Sequence, residues 1–340
     1  MHPLSHTSHS FSTSLTSKIG RGGEQALAIY KSYMRTGSIS KDLPEFANAP
    51  RLFDQMVSLF DLSTYKITAV ESDEHTSRFL LQSPDDHTIE SVLISMHHGT
   101  TLCLSSQIGC RMRCSFCRTG QLGLIRNLQT KEIVLQLFTA RFLLNKPVDN
   151  IVFMGMGEPF DNYDAVVEAA RIFADPNGCN IGPRHITIST SGDIDGIYKF
   201  ASEKKHVANL TVSLNAPNEK LRQQLMPSTK KKTLHDLLRA MRAYCTQTEK
   251  LLYVSYVLIK GVNDDPKLAD ELAELLAGLP VRINLIPFNS FEEHTFQAPS
   301  QKTTDQFMNR LRTHAIPVFL RGKKGETIRA ACGQLTGHKR

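Results

Sequence analysis

Apolar, β-branched runs alternate with amphipathic helical patterns through the middle of this 340-residue chain, and that alternation limits the fold more than any other feature. The runs are TLCLSS (101–106), NIVFMG (150–155), HITIST (185–190), NLTVSLN (209–215), YVSYVLI (253–259) and RINLIPFN (282–289). Between them, stretches such as TKEIVLQLFTARFLLN, YDAVVEAARIFAD and PKLADELAELLAGL place apolar residues near i, i+3, i+4 and i+7. Strands separated by helices pair in parallel, because each crossover returns the chain to the same end of the sheet. The pattern predicts an α/β fold, an incomplete (β/α)6 barrel whose length falls short of the eightfold form. Functional groups are then expected at the carboxyl ends of the strands, where the βα loops gather.

Upstream, EQALAIYKSYMR and PRLFDQMVSLF offer apolar helical faces, and SRFLLQS and HTIESVLIS read as strands of a β-extension. The division predicted is a disordered tail over 1–20, a small helical accessory domain over 21–75 and the functional core over 76–340. The tail is rich in Ser, His and Thr and contains Lys18 but no acid. The accessory domain is read either as a holder of RNA or as a structural cap. A hydrophobic content of 41% suits one large core. No apolar run reaches the length of a membrane span, and no secretory h-region stands at the start, so a cytoplasmic, monomeric protein is expected. Seven cysteines in such a chain point to metal or redox chemistry rather than a disulfide framework. A net charge of +7 suits a phosphate-rich partner. Lys230, Lys231, Lys232, Arg321, Lys323 and Lys324 read first as solvated loop charges and second as phosphate contacts.

Cys110-x3-Cys114-x2-Cys117 carries the chemistry. This spacing supplies three thiolates to a 4Fe-4S cluster and leaves one iron open, where the amino and carboxylate groups of S-adenosylmethionine (SAM) can bind. Half of a zinc site, or three buried thiols, are the alternatives; Cys103, Cys179, Cys245 and Cys332 stand singly and give no second pair. Polar residues also mark the strand ends: Gly155-Met156-Gly157-Glu158-Pro159, Ser189-Thr190-Ser191-Gly192, Ser213, Asn215 and Asn289. In a parallel barrel these ring one opening and offer hydrogen bonds to a carboxylate, a ribose and an adenine edge. Singly, each is as readily a turn or a helix cap.

TLCLSSQIGCRMRCSFCRTGQLGLIRNL, FMGMGEP, ITISTSG, SLNAPN, GVND, INLIPFN and AACGQL, in this order, resemble the RlmN/Cfr family of radical SAM RNA methyltransferases. The likeness runs from about Glu90 to Leu335 and is loose over 24–89. It implies a cluster on Cys110, Cys114 and Cys117, and SAM held by Gly157, Glu158, Ser189, Ser213, Leu214, Asn215 and Asn289. It also implies transfer of a methyl group to carbon 2 or carbon 8 of adenosine in rRNA or tRNA, with carbon 2 preferred by family analogy. An electron donor such as flavodoxin or ferredoxin is implied as partner. Those ring carbons are too weakly nucleophilic to take a methyl group from SAM directly, so a carrier is needed. By the resemblance Cys332 is the carrier, methylated by one SAM, and a radical from a second SAM activates the methyl group. Glu90 then accepts the ring proton, and Cys103 resolves the protein–RNA adduct through a transient disulfide with Cys332.

The chain departs from the family pattern at three places. Asn215 stands where His is common, Arg329 replaces an acidic residue three positions before Cys332, and Arg118 follows the last cluster cysteine where a small residue is usual. Two other readings remain open on sequence alone: the same fold with another radical reaction, and a zinc-bearing RNA-binding protein without catalysis.

Overall fold

The structure, a computed structural model, describes residues 1–96, 99–291, 294–322 and 324–336. The loop charge Lys323 and the side chains of Lys230 and Lys231 lie outside the described residues. The chain begins with helices α1 (Ser8–Ile19), α2 (Gly23–Thr36) and α3 (Pro50–Val57). Strands β1 (Lys66–Ser72), β2 (Thr76–Gln82), β3 (Thr88–Met96) and β4 (Gly99–Cys103) follow as an antiparallel meander. A separate two-stranded sheet, β5 (Gln107–Gly109) with β6 (Leu124–Asn127), flanks the short helix α4 (Arg118–Gln121).

Beyond it come α5 (Thr130–Phe138), β7 (Asn150–Phe153), α6 (Tyr163–Ala174), β8 (Ile186–Thr190), α7 (Ile194–Ala201) and β9 (Asn209–Ser213). The chain continues through α8 (Glu219–Leu225), α9 (Leu234–Thr248), β10 (Leu252–Leu258), α10 (Pro266–Leu275), β11 (Val281–Pro287), α11 (Gln301–Thr313) and β12 (Val318–Leu320).

The main sheet has the order β1-β2-β3-β4-β7-β8-β9-β10-β11-β12. Every pair from β4 to β12 is parallel, so the six anticipated strands form the barrel and β12 extends it by a short seventh. Strand β4 is the switch: Cys103 pairs with Val92 on its antiparallel side and with Val152 on its parallel side. Fully buried aliphatics on the strands, among them Leu102, Ile151, Ile188, Leu210, Val254 and Ile283, share one core with Ile133 and Leu137 of α5 and Val166, Ala170 and Phe173 of α6. No helix among the described residues is long and apolar enough to cross a membrane.

The disordered tail expected over 1–20 is corrected. Thr7 caps α1 by accepting from Ser10 N, while Ser10 Oγ accepts from Thr7 N, a reciprocal box that fixes the helix start. Phe11 and Leu15, one turn apart, are completely buried, and Phe11 packs against Tyr30 and Phe60 with ring centroids 5.4 and 5.5 Å away. Ser8 N and Oγ both donate to the Asp175 carboxylate at the end of α6. The polar composition hid this i, i+4 apolar pair. The division at 75/76 is also crossed by structure, because β1 lies before it and pairs with β2. Nor do α1–α3 have a core of their own: Tyr33 on α2 stacks on Phe138 of α5 at 5.0 Å.

Truncating Phe11 to Ala is therefore expected to cost the whole protein about 3–5 kcal/mol, the usual range for a buried Phe. Urea unfolding checks this, and a loss well under 1 kcal/mol would show α1 to be peripheral.

Candidate active site

The cysteine loop leaves β5 and is pinned on all sides. Cys110 N donates to Gly123 O at 2.8 Å and Cys117 N to Cys114 O at 3.1 Å. Ser115 N donates to Leu225 O at 2.9 Å, and its carbonyl meets His294 Nε2 at 2.5 Å. Gly120 lacks a side chain for a reason: a Cβ there would stand 3.0 Å from Cys114 N. Burial pushes the Cys110 thiol up to about 12, and Cys114 and Cys117 upward as well. Cys110 and Cys117 raise Cys114 further, so the three thiols lie within electrostatic reach of one another. Such thiols are neutral unless a metal holds them as thiolates. Among the described residues, no three His, Cys, Asp or Glu side chains close around a single ion. A four-iron cluster is a larger body that holds its cysteines further apart, and a soft, three-thiol donor set of this kind fits it.

The strand ends that flank this loop form a connected floor. A Cβ on Gly155 would lie 2.8 Å from the Leu104 backbone, and one on Gly157 2.7 Å from Gln107 Cβ. Gly157 also has φ +108°, so the Gly-Met-Gly turn lies flat on the β4–β5 segment in a conformation side chains disfavour. Glu158 is buried; its N donates to Gln107 Oε1 at 2.8 Å, and its carboxylate accepts from Ser191 N at 2.7 Å and Phe160 N at 3.2 Å. Burial raises its pKa, and those donors oppose the rise.

Ser189 is half-buried at the end of β8. Beneath Ser213 and Leu214 lies Arg222, whose buried guanidinium donates to Leu214 O at 2.9 Å, Ser213 O at 3.3 Å and Ser191 O at 2.6 Å. Desolvation lowers its pKa to about 10. Asn215 adopts φ +62°, a left-handed conformation that Asn tolerates better than most residues. Its Oδ1 accepts from Val257 N at 2.9 Å, and its Nδ2 donates to Met226 Sδ at 3.3 Å. The carboxamide that departs from the family pattern is thus spent on joining β9 to β10.

The segment 331–336 brings the remaining residues together. Arg118 N donates to Gly333 O at 2.8 Å, Thr119 Oγ1 to Leu335 O at 2.7 Å, and Asn289 Nδ2 to Cys332 O at 3.1 Å. Thr336 N donates to Glu90 Oε2 at 2.9 Å. Glu90 itself is fully buried, and Arg78 Nη1 donates to its Oε1 at 2.9 Å. Cys103 is buried in a small apolar cluster with Val92, Met156, Ala330 and Leu335, the last two of which flank Cys332. Burial raises the Cys103 thiol strongly, and the charges of Cys332 and Glu90 add to the rise. Solvent reaches Cys332, yet the surrounding protein pushes its thiol to about 11, with Cys117 adding to this and Arg321 opposing it. All seven cysteines are free thiols.

The candidates therefore gather at one end of the barrel. Of the other departures, Arg118 lies 5.7 Å from the Phe291 ring centroid, and Arg329 takes φ +50°. Sequence reasoning missed Arg78, Gln107 and Arg222. Arg78 had a signal, a charge in the middle of the apolar run SRFLLQS; Arg222 had none, since it reads as a solvated helix residue. Substituting Gly157 by Ala is expected to destabilise the protein by at least about 1–3 kcal/mol, through backbone strain and the clash with Gln107 together. Thermal unfolding checks this, and an unchanged midpoint would contradict the close approach to Gln107.

Comparison with known proteins agrees with this geometry. The family model of the Radical SAM superfamily matches residues 104–276. A curated relative from Protochlamydia amoebophila, described as a probable dual-specificity RNA methyltransferase RlmN 1, is 48% identical over 332 residues, covering 98% of this chain and 93% of the relative. A dual-specificity RNA methyltransferase RlmN from Geotalea uraniireducens is 42% identical over 81% of this chain and 80% of its own length. A crystal structure of a radical SAM methyltransferase from Sphaerobacter thermophilus superposes with a TM-score of 0.90 at 35% identity, covering 99% of this chain and 100% of that one. The chain belongs to the radical SAM superfamily and, within it, to the RlmN family.

Proposed function

We propose that this protein methylates a ring carbon of adenosine in rRNA, tRNA or both, carbon 2 in preference to carbon 8, by way of a methylated Cys332. The observation that supports this most is the anchoring of segment 331–336, which ties Cys332 O to Asn289, Gly333 O to Arg118 beside the cysteine loop and Thr336 N to Glu90, with Cys103 packed among Ala330 and Leu335. Cys110, Cys114 and Cys117 would hold a 4Fe-4S cluster, which when bound would supply the electron that cleaves SAM to a hydrogen-abstracting radical.

The chain's own residues do the rest. Gly157 and Glu158 form the turn that would face the SAM amino group. Ser189, Ser213, Leu214 and Asn289 line the ribose and adenine, and Asn215 shapes that wall without its carboxamide. Cys332, as thiolate, displaces the methyl group from a first SAM, and S-adenosylhomocysteine leaves. The accessibility of Cys332 lets it meet both SAM and RNA. Glu90 accepts the proton from the ring carbon once the methyl carbon has joined it. The adduct radical returns one electron to a one-electron carrier; the Cys103 thiolate then attacks the Cys332 sulfur, the S–S bond forms as the sulfur–methylene bond breaks, and the freed methylene carbon takes the bonding pair and a proton to become the methyl group. The target adenosine must be unstacked to enter, with basic loops gripping phosphate outside. The electron comes from a small carrier of the flavodoxin or ferredoxin class. A reducing cytoplasm suits seven free thiols, and the protein acts as a monomer.

Incubating variants with SAM, reductant and RNA tests this reading on a denaturing gel. Cys103→Ala is expected to accumulate a covalent protein–RNA adduct and Cys332→Ala to form none. Equal, adduct-free methylation by both variants would sink the carrier scheme. Retention of the product against 2-methyl and 8-methyl standards fixes the ring position.

A further inference from the structure

We propose that Arg78 is the positioning residue of the proton acceptor: it clamps Glu90 through Oε1, with Glu71 behind it, and so aims Oε2 at the segment that carries Cys332. This rests on the reading of Glu90 as the base that takes the ring proton.

The register of the sheet supports it. Glu71 pairs with Arg78, Arg78 with Val92, Val92 with Cys103, and Cys103 with Val152. Directly paired residues share a face, so Glu71, Arg78, Val92 and Cys103 form one row across the strands, and Glu90, two residues before Val92 on β3, lies on the same face. The Arg78 guanidinium is 1% exposed and bridges Glu90 Oε1 at 2.9 Å and Glu71 Oε1 at 3.0 Å. Glu90 Oε2 accepts from Thr336 N, four residues beyond Cys332. Ser105 Oγ, held in turn beside Gln136, donates to the Glu90 carbonyl at 2.6 Å and fixes the backbone as well. The base, its clamp and the resolving cysteine thus lie on one face of three adjacent strands.

Stability alone does not account for this arrangement. A buried ion pair is often no more stabilising than apolar residues of the same volume, and here Arg78 Nε has no hydrogen-bond partner among the described residues, a cost the fold carries. Held at Oε1 by Arg78 and at Oε2 by Thr336 N, the carboxylate is instead fixed in one orientation toward the segment that carries Cys332. A planar guanidinium with two outward nitrogens can bridge both carboxylates in fixed positions, as Nη1 does to Glu90 and Nη2 to Glu71. Glu71 is half-exposed and draws the other side of the fork, which keeps Arg78 from swinging.

The test compares Arg78→Met, Arg78→Lys, Glu71→Gln and Glu90→Gln in cluster-loaded enzyme with SAM, reductant and an rRNA or tRNA fragment, in a single turnover. Methylation of Cys332 is read by mass spectrometry and the covalent adduct by denaturing gel. Arg78→Met and Glu90→Gln are expected to methylate Cys332 as the parent does but to release RNA at least tenfold more slowly, with adduct building up. Arg78→Lys should recover most of the rate, and Glu71→Gln should slow release by a smaller factor. Parent-like release by Arg78→Met while Glu90→Gln stalls would overturn the clamp alone. Parent-like release by Glu90→Gln would overturn the base assignment and the clamp with it. If Arg78→Met does not fold, Arg78→Lys and Glu71→Gln decide, and adduct-free, parent-like release by both overturns the proposal.

Discussion

Residues 331–336 belong to no helix or strand, so their backbone groups find no repeating ladder and must be satisfied from elsewhere. The partners come from the cluster loop and its helix, through Arg118 N and Thr119 Oγ1, from the end of β11, through Asn289, and from β3, through Glu90. Gln334 ties the same turn to Ser290 O at 3.0 Å. Each tie costs little to describe and much to lose, since a buried polar group left unpaired is worth about 1–3 kcal/mol of destabilisation. Because these partners sit on separate elements, Cys332 stands in place only when the barrel mouth is fully assembled.

The electrostatics of the mouth follow from the same dryness. Burial is the leading cause of the upward shift at Cys103, Cys110, Cys114, Cys117 and Cys332 alike. A thiol kept neutral resists stray oxidation, and it becomes a nucleophile or ligand only when a partner draws the proton away. Arg321 works in that direction at Cys332. The guanidiniums of Arg78 and Arg222 take different parts: one pairs with carboxylates, and the other binds carbonyls beneath Ser213 and Leu214.

Much of this was legible in the residues. Periodicity gave the six parallel strands because the strand residues packed in the core with the helices are apolar throughout, and the cysteine spacing pointed to the loop because the three thiols lie close together in sequence. The resemblance then pointed to Cys103, Cys332 and Glu90, which the fold does bring to one mouth. What periodicity missed lay where polar composition concealed packing, as at Phe11 and Leu15, or where strands are too short to show a period, as in β5, β6 and β12. Side-chain commitments were also illegible: that Asn215 serves Val257 and Met226 depends on its left-handed backbone, and that Arg78 meets Glu90 depends on register across two strands.

The most direct test of a cysteine-borne methyl group follows the hydrogens. With SAM bearing a fully deuterated methyl group, reductant and RNA, the methyladenosine released from cluster-loaded enzyme is analysed by mass spectrometry after digestion. Passage through Cys332 with hydrogen abstraction predicts a methyl group that retains two deuterons and has gained one hydrogen. A methyl group that arrives with all three deuterons would mean direct transfer, and would contradict the account.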